Sequence, residues 1–329
     1  MIGNGVVDAV AIGRNEGRRL VECLASLRRA GVRRIVYVDS GSTDGSVLAA
    51  EASGARVVAL TMDRPFTAAR ARNAGLHDIL SMDDPPEYLH FIDGDCILAS
   101  GWLPRARQFL AGNPRAVVVC GRRRERFPHA SVYNRLCDAE WNTPVGEAMA
   151  CGGDALMRVS ALRMAGGYRE DLIAGEEPEL CLRLRRAGGQ VWRLDADMTL
   201  HDAAMTRFSQ WWRRTRRAGH AFAEGASLHG APPDRHWVAE TRRAVVWGAC
   251  LPLVIVLLLL FLSPALALLL AMAYPAQILR LAARRGLSRR RSWEMATFTV
   301  LGKFAEAQGV LSYWLNRWRG RRAGLIEYK

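Results

Sequence analysis

The chain has no CxxC pair. Its seven cysteines, Cys23, Cys96, Cys120, Cys137, Cys151, Cys181 and Cys250, are scattered without metal-finger spacing. That pattern excludes a zinc finger and a disulfide scaffold and points to a reducing compartment. The opening "MIGNGVVDAVAIGRNEG" has no basic start followed by a long apolar core. No signal peptide is read there, and the N-terminal part is expected in the cytoplasm. No internal repeat and no low-complexity tract is visible. The first strand-to-helix turn, "AIGRNEGRR", has neither a lysine nor a G-x-G, so it does not form a lysine-bearing phosphate loop.

What is present is a chain of 329 residues, half of them hydrophobic, long enough for one large domain with an appendage. The formal net charge is +14. Arginines concentrate at 122–126, 213–217, 242–243, 280–291 and 317–322, and the last three clusters border apolar stretches. Basic residues beside apolar segments mark the cytoplasmic side of a membrane and attract anionic head groups. Membrane lipids and phosphate ligands are therefore the expected anionic partners, and nucleic acid is not.

From residue 6 to about 230, short apolar runs alternate with helical periodicity. Strands are expected at 6–13, 34–40, 55–60 and 87–92, with helices at 16–31, 44–54 and 67–80 between them. A later strand pair is expected at 116–121 and 191–194. Such alternation predicts an α/β fold with a mainly parallel sheet flanked by helices, where ligands collect at the carboxyl ends of the strands. The expected division is a catalytic domain at 1–228, a proline-bearing linker at 229–243, a membrane-embedded helical hairpin at 244–281 and a basic interfacial helix at 282–329.

The hairpin reading rests on "AVVWGACLPLVIVLLLLFL" (244–262), which has no charged residue, and on the shorter "ALALLLAMAYPAQIL" (265–279). A crossing helix needs roughly 20 apolar residues. Pro252 predicts a kink in the first segment, and Pro275 predicts a partial or tilted crossing in the second. Arginines outside both ends and an uncharged turn between them put both ends in the cytoplasm. A buried helical pair is the competing reading. The segments at 207–222 and 293–322 read as amphipathic interfacial helices.

The chemistry centres on "EYLHFIDGDCIL" (87–98), an apolar strand ending on Asp93 and Asp95 around Gly94. Two carboxylates so close repel unless a cation sits with them, and a hard divalent ion suits such oxygens. "VDSGSTDGS" (38–46) brings Asp39 to the same rim, "RPFTAARARNAG" (64–75) supplies Arg72, and "GEEPEL" (175–180) places Glu176 and Glu177 before a helix. With Glu179 beside them, these acidic residues could complement the helix dipole, or one of the three could act as a general base.

In their order and spacing these motifs resemble family 2 glycosyltransferases, inverting enzymes with the GT-A fold, over roughly residues 6 to 225. The resemblance implies a UDP-, GDP- or dTDP-linked sugar donor and Mn²⁺ or Mg²⁺. Gly13, Asn15, Glu16 and Asp39 would line the base and ribose pocket, with Arg72 near the diphosphate. Asp93 and Asp95 match the D-x-D element, Asp95 contacting the metal and Asp93 the ribose or the metal. His201 would be a further metal ligand. Glu177 matches the base of the E-D-x-[DE]-L block with Glu in place of the usual Asp, which leaves Glu176 as a competing assignment. Gly153 and Asp154 of "CGGDALMR" would face the acceptor or sugar. Trp211, Trp212, Arg213 and Arg214 loosely resemble the Q-x-x-R-W element of processive members, in a different order.

The implied function is transfer of one sugar to a lipid-linked acceptor at the cytoplasmic face of a bacterial inner membrane, for cell-surface polysaccharide or glycolipid synthesis. A metal-dependent nucleotidyltransferase and a non-catalytic lipid-surface adaptor are the alternatives.

Overall fold

Six of the seven residues of the first strand, β1 (Val7–Gly13), are buried, as a central strand covered on both faces requires. The computed structural model describes residues 5–321. β1 lies between β2 (Ile35–Asp39) and β4 (Tyr88–Asp93), with β3 (Arg56–Ala59) outside β2, all parallel. The crossovers are α1 (Arg18–Arg29), α2 (Ser46–Ala52) and α3 (Ala68–Leu80). Helix α1 buries Leu20, Cys23, Leu24 and Leu27, the face its periodicity predicts. In α3, Thr67 caps the N-terminus by accepting from the Arg70 N–H. Gly75 lies against the sheet: a Cβ there would stand 2.4 Å from Val10 Cγ1 and 3.1 Å from Val38 Cγ2.

Next along the chain come β5 (Cys96–Leu98), α4 (Trp102–Gly112), β6 (Ala116–Glu125), α5 (Val132–Glu140), β7 (Gly146–Ala148), β8 (Ala155–Arg158), α6 (Val159–Ala165), α7 (Glu176–Arg186) and β9 (Gln190–His201). The sheet continues β4-β8-β6-β9-β5, and β7 pairs with β9. Here β8 is antiparallel to β4 and β6, β6 is parallel to β9, and β5 and β7 are antiparallel to β9. The parallel expectation thus holds across β3-β2-β1-β4, and the sheet is mixed beyond. The antiparallel additions β5, β7 and β8 are three or four residues each, too short to leave a periodic trace.

The chain divides into units Met1–Ala204 and Met205–Lys329. The second contains α8 (Phe208–His229), α9 (Val238–Phe261), α10 (Pro264–Ala283) and α11 (Arg290–Trp318). The division falls earlier than the expected 228/229 boundary because α8 packs along α11. Trp211 meets Phe298 with ring centroids 4.9 Å apart, His220 meets Tyr313 at 5.2 Å, and Trp212 Nε1 donates to Gln308 Oε1 at 2.9 Å. A Cβ on Gly219 would lie 2.1 Å from the Glu306 carbonyl oxygen, and one on Gly309 2.1 Å from that of Arg216. The two segments expected to be interfacial therefore turn part of their faces on each other.

Helices α9 and α10 are long and apolar enough to cross a membrane by length and composition, and few of their residues are buried. Pro252 has no N–H to offer the Gly248 carbonyl, and the preceding residues Val246–Cys250 widen into a π-helical turn. In α10 the break falls at Met272, shortly before Pro275. Residues 322–329 of the expected C-terminal helix lie outside the described residues.

Candidate active site

Three strands deliver the site to one rim. Gly13 is in register with Asp39 and Ile12 with Asp93, so β1, β2 and β4 end together at the carboxyl edge of the parallel half. Asp39 is buried and shapes its own turn: it accepts from the N–H groups of Gly41 and Ser42 at 3.0 and 2.8 Å and from Tyr37 Oη at 3.0 Å. Asn15, at φ +55°, latches this turn to the first one. Its N–H donates to Ser42 Oγ at 2.9 Å, and its Oδ1 accepts from the Thr43 N–H at 2.7 Å. Glu16 pairs with Arg19 at 2.8 Å. Gly13, Asn15, Glu16 and Asp39 thus form one neighbourhood.

The crowding of Asp93 and Asp95 is relieved by turning them to different partners. Asp93 sits between two guanidinium groups, with Arg72 Nη2 2.9 Å from its Oδ1 and Arg123 Nη2 2.7 Å from its Oδ2. Asp95 turns to His201 instead, Oδ2 to Nε2 at 3.3 Å. Asp93, Asp95, Cys96 and His201 each offer a ligand atom, all within 4.8 Å of one another. The buried His201 Nδ1 has no hydrogen-bond partner. Carboxylate oxygen, imidazole nitrogen and thiol sulfur in one cluster fit a divalent cation.

Arg72 is 2% exposed, and its Nη1 reaches Glu176 Oε1 at 2.9 Å and Glu177 Oε1 at 2.8 Å. One guanidinium therefore joins the D-x-D turn to the acidic start of α7, which follows Gly175 in the left-handed conformation. Burial first, and then the neighbouring Glu176 carboxylate, push the Glu177 carboxyl up to about 7 against the pull of Arg72. A carboxylate poised near neutrality suits proton abstraction.

Asp154 requires a correction. Expected to face acceptor or sugar, it is fully buried. Its carboxylate accepts from Arg123 Nε at 2.9 Å, Thr199 Oγ1 at 2.6 Å and the Asp93 N–H at 3.0 Å. Burial alone would raise its pKa, but the Arg123 guanidinium and these hydrogen bonds outweigh it and hold the carboxyl at about 2. Asp154 pins Asp93 and Arg123 from below. A Cβ on its neighbour Gly153 would stand 2.8 Å from Arg72 Nη2 and 2.9 Å from Asp93 Oδ2, so the missing side chain makes room for that ion pair.

Arg123, Thr199, Trp141 and Tyr168 belong to the site without having been singled out in the sequence. The guanidinium carbons of Arg123 and Arg72 lie over the rings of Trp141 at 5.4 Å and Tyr168 at 5.6 Å, and Trp141 stands edge-on to His201 at 4.7 Å. Arg123 was hidden in a basic run read as a charged patch. The available signal was strand alternation: along β6, Arg122 reaches Asp138, Arg123 reaches Asp93 and Arg124 reaches Asp197.

Residues 10–163 match the model of Glycosyl transferase family 2. The chain is 25% identical over 234 residues to the Succinoglycan biosynthesis protein ExoA of Rhizobium meliloti (strain 1021), covering 67% of this chain and 69% of that protein. It is 26% identical over 240 residues to the Pre-mycofactocin glycosyltransferase of Mycobacterium tuberculosis (strain CDC 1551 / Oshkosh), covering 66% of this chain and 46% of that longer relative. The structure superposes on the mannosyltransferase PcManGT from Pyrobaculum calidifontis, solved in complex with GDP-Man and Mn²⁺. The TM-score is 0.62 at 20% identity, with 93% of this chain and 86% of that chain covered. This likeness gives the fold; it is against the family match and the two relatives that the nucleotidyltransferase and adaptor readings give way. The D-x-D turn lies inside the stretch 10–163 that matches glycosyl transferase family 2, Arg72 ties it to the glutamate pair and the candidate cation cluster sits beside it, and the family match and the relatives support a glycosyltransferase.

Proposed function

We propose that the protein moves a sugar, with inversion, from a UDP-, GDP- or dTDP-linked donor to a lipid-linked acceptor at the cytoplasmic face of a bacterial inner membrane. The product would serve cell-surface polysaccharide or glycolipid synthesis. The observation that carries the enzymatic part is the Arg72 bridge between Asp93 and Glu177, which sets a base a fixed distance from the donor-side carboxylates.

Gly13, Asn15, Glu16 and Asp39 hold the base and ribose. Asp95 and His201, with Asp93 alongside, would hold Mn²⁺ or Mg²⁺, and the ion would supply positive charge for the leaving diphosphate. Glu177 takes the proton of the acceptor hydroxyl, and Glu176 is the competing candidate. Arg72 orients whichever glutamate acts. Attack on the anomeric carbon from the face opposite the nucleotide inverts the configuration in one displacement.

Two features support the lipid-linked acceptor. α9 and α10 expose apolar side chains such as Leu253, Leu257, Leu260 and Leu269. Arginines cluster where the pair begins and ends, Arg242 and Arg243 at one side and Arg280, Arg284 and Arg285 at the other. The test is transfer from radiolabelled nucleotide-sugars by the full chain, with polyprenyl-diphosphate-linked and water-soluble acceptors compared in lipid and in detergent. Lipid-dependent transfer to the polyprenyl acceptor is expected. Equal transfer to a soluble sugar with no gain from lipid would overturn the acceptor assignment.

A further inference from the structure

We propose that Cys96 is a further donor in the cation site, so that the site takes thiophilic divalent ions such as Zn²⁺ and Co²⁺ ahead of Mg²⁺. The proposal deepens the cation-site reading above and rests on it.

The sheet register carries the argument. β5 and β9 are antiparallel, and Cys96 stands directly opposite His201. Opposed residues of an antiparallel pair project to the same face of the sheet with their Cβ atoms roughly 5 Å apart. A thiol and an imidazole are therefore presented side by side at the edge of the D-x-D turn. Cys96 Sγ lies 3.7 Å from Asp95 Oδ1, inside the cluster whose ligand atoms all fall within 4.8 Å of one another.

The neighbours favour the assignment. Both oxygens of Asp93 already face guanidinium groups of Arg72 and Arg123, which leaves Asp95, His201 and Cys96 as one oxygen, one nitrogen and one sulfur donor. His201 Nδ1 is buried without a hydrogen-bond partner. Arg123 Nη2 lies 3.5 Å from the sulfur, but burial and the carboxylates of Asp154, Asp95 and Asp93 outweigh its charge and push the Cys96 thiol up, so the sulfur ionises only as a cation takes it. Three protein ligands with a position left over describe a site that also accepts a substrate oxygen. As the sulfur–metal bond forms, the thiol proton leaves to the buffer. Thiolate and imidazole suit zinc and cobalt, whereas Mg²⁺ demands a shell of oxygens.

The test is Co²⁺ titration of the full chain, followed by absorption spectroscopy. Wild type is expected to show a thiolate-to-cobalt charge-transfer band that Zn²⁺ abolishes and excess Mg²⁺ does not. In Cys96→Ser and Cys96→Ala the band disappears and Co²⁺ binds roughly tenfold or more weakly, since even outer-shell partners cost that much. The wild-type spectrum decides without either variant: visible cobalt bands with no sulfur band overturn the Cys96 assignment and leave the site reading intact. If Co²⁺ does not bind, and Mn²⁺ does not raise the melting temperature, the site reading falls together with this proposal.

Discussion

Asp93 and Glu177 share one guanidinium: Arg72 Nη2 lies 2.9 Å from Asp93 Oδ1, and its Nη1 lies 2.8 Å from Glu177 Oε1. The donor-side turn and the acid-bearing helix are thereby fixed to each other through a single side chain. Lysine keeps the charge but lacks the fork that reaches both. Arg72→Lys should lower kcat by about a hundredfold through misalignment, with a smaller change in the KM of the donor. Steady-state kinetics with both constants measured checks this.

Glu177→Gln should reduce transfer by roughly 10²–10⁴-fold, while Glu176→Gln has the smaller effect. Unchanged turnover in purified Glu177→Gln protein would hand the role of base to Glu176.

In wild type, kcat/KM should rise with pH through about 7, where Glu177 loses its proton. The linked stability runs the other way. With its carboxyl raised from 4.5 to about 7, the folded protein binds more protons than the unfolded chain between those values. This group's contribution to stability therefore falls as pH rises across that window. Melting temperatures from pH 4.5 to 8 should show the decline, and Glu177→Gln should flatten it.

How far these residues are legible in the sequence depends on the range of their contacts. β1, β2, β4 and the buried face of α1 follow from local apolar pattern, and the match of Asp93, Asp95 and Glu177 to known motifs led to their neighbourhood. Asp154 was misjudged because a glycine-flanked aspartate looks like an exposed turn. What buries it is Arg123, 31 residues earlier, and Thr199, 45 residues later. Pairings of that range leave no periodicity. β5 escaped for a related reason: it has three residues, and what defines it is its pairing with the end of β9.

Asp154→Asn should destabilise the fold by about 3–5 kcal/mol, because it removes the fully buried carboxylate that the partly buried Arg123 pairs with. In wild type the Asp154 contribution is complete above the unfolded value of 3.8 and is lost as pH falls through about 2. Urea unfolding at neutral pH and acid titration followed by circular dichroism check the two halves.

UDP, GDP and dTDP should raise the melting temperature in the presence of Mn²⁺ and not in chelator, with the preferred nucleotide giving the largest shift. At a hundredfold excess over Kd the stabilisation is about 2.7 kcal/mol. Asp95→Ala should remove the metal dependence. Equal shifts in Mn²⁺ and chelator would remove the cation from donor binding.

Leu253 is exposed on α9, within the uncharged stretch. Leu253→Arg should weaken membrane insertion by about 2.5–3.5 kcal/mol, read as loss of the protein from floated vesicles. Unaltered flotation would argue against α9 as a spanning helix.

The contact of Gly75 with Val10 and Val38 has a reach beyond packing. One methyl at that position must push α3 away from the strands, and Arg72 rides on the same helix one turn earlier. The wedge would draw the guanidinium off both acids at once, so an alanine far from any ligand would silence the enzyme while every ligand-touching side chain kept its chemical identity.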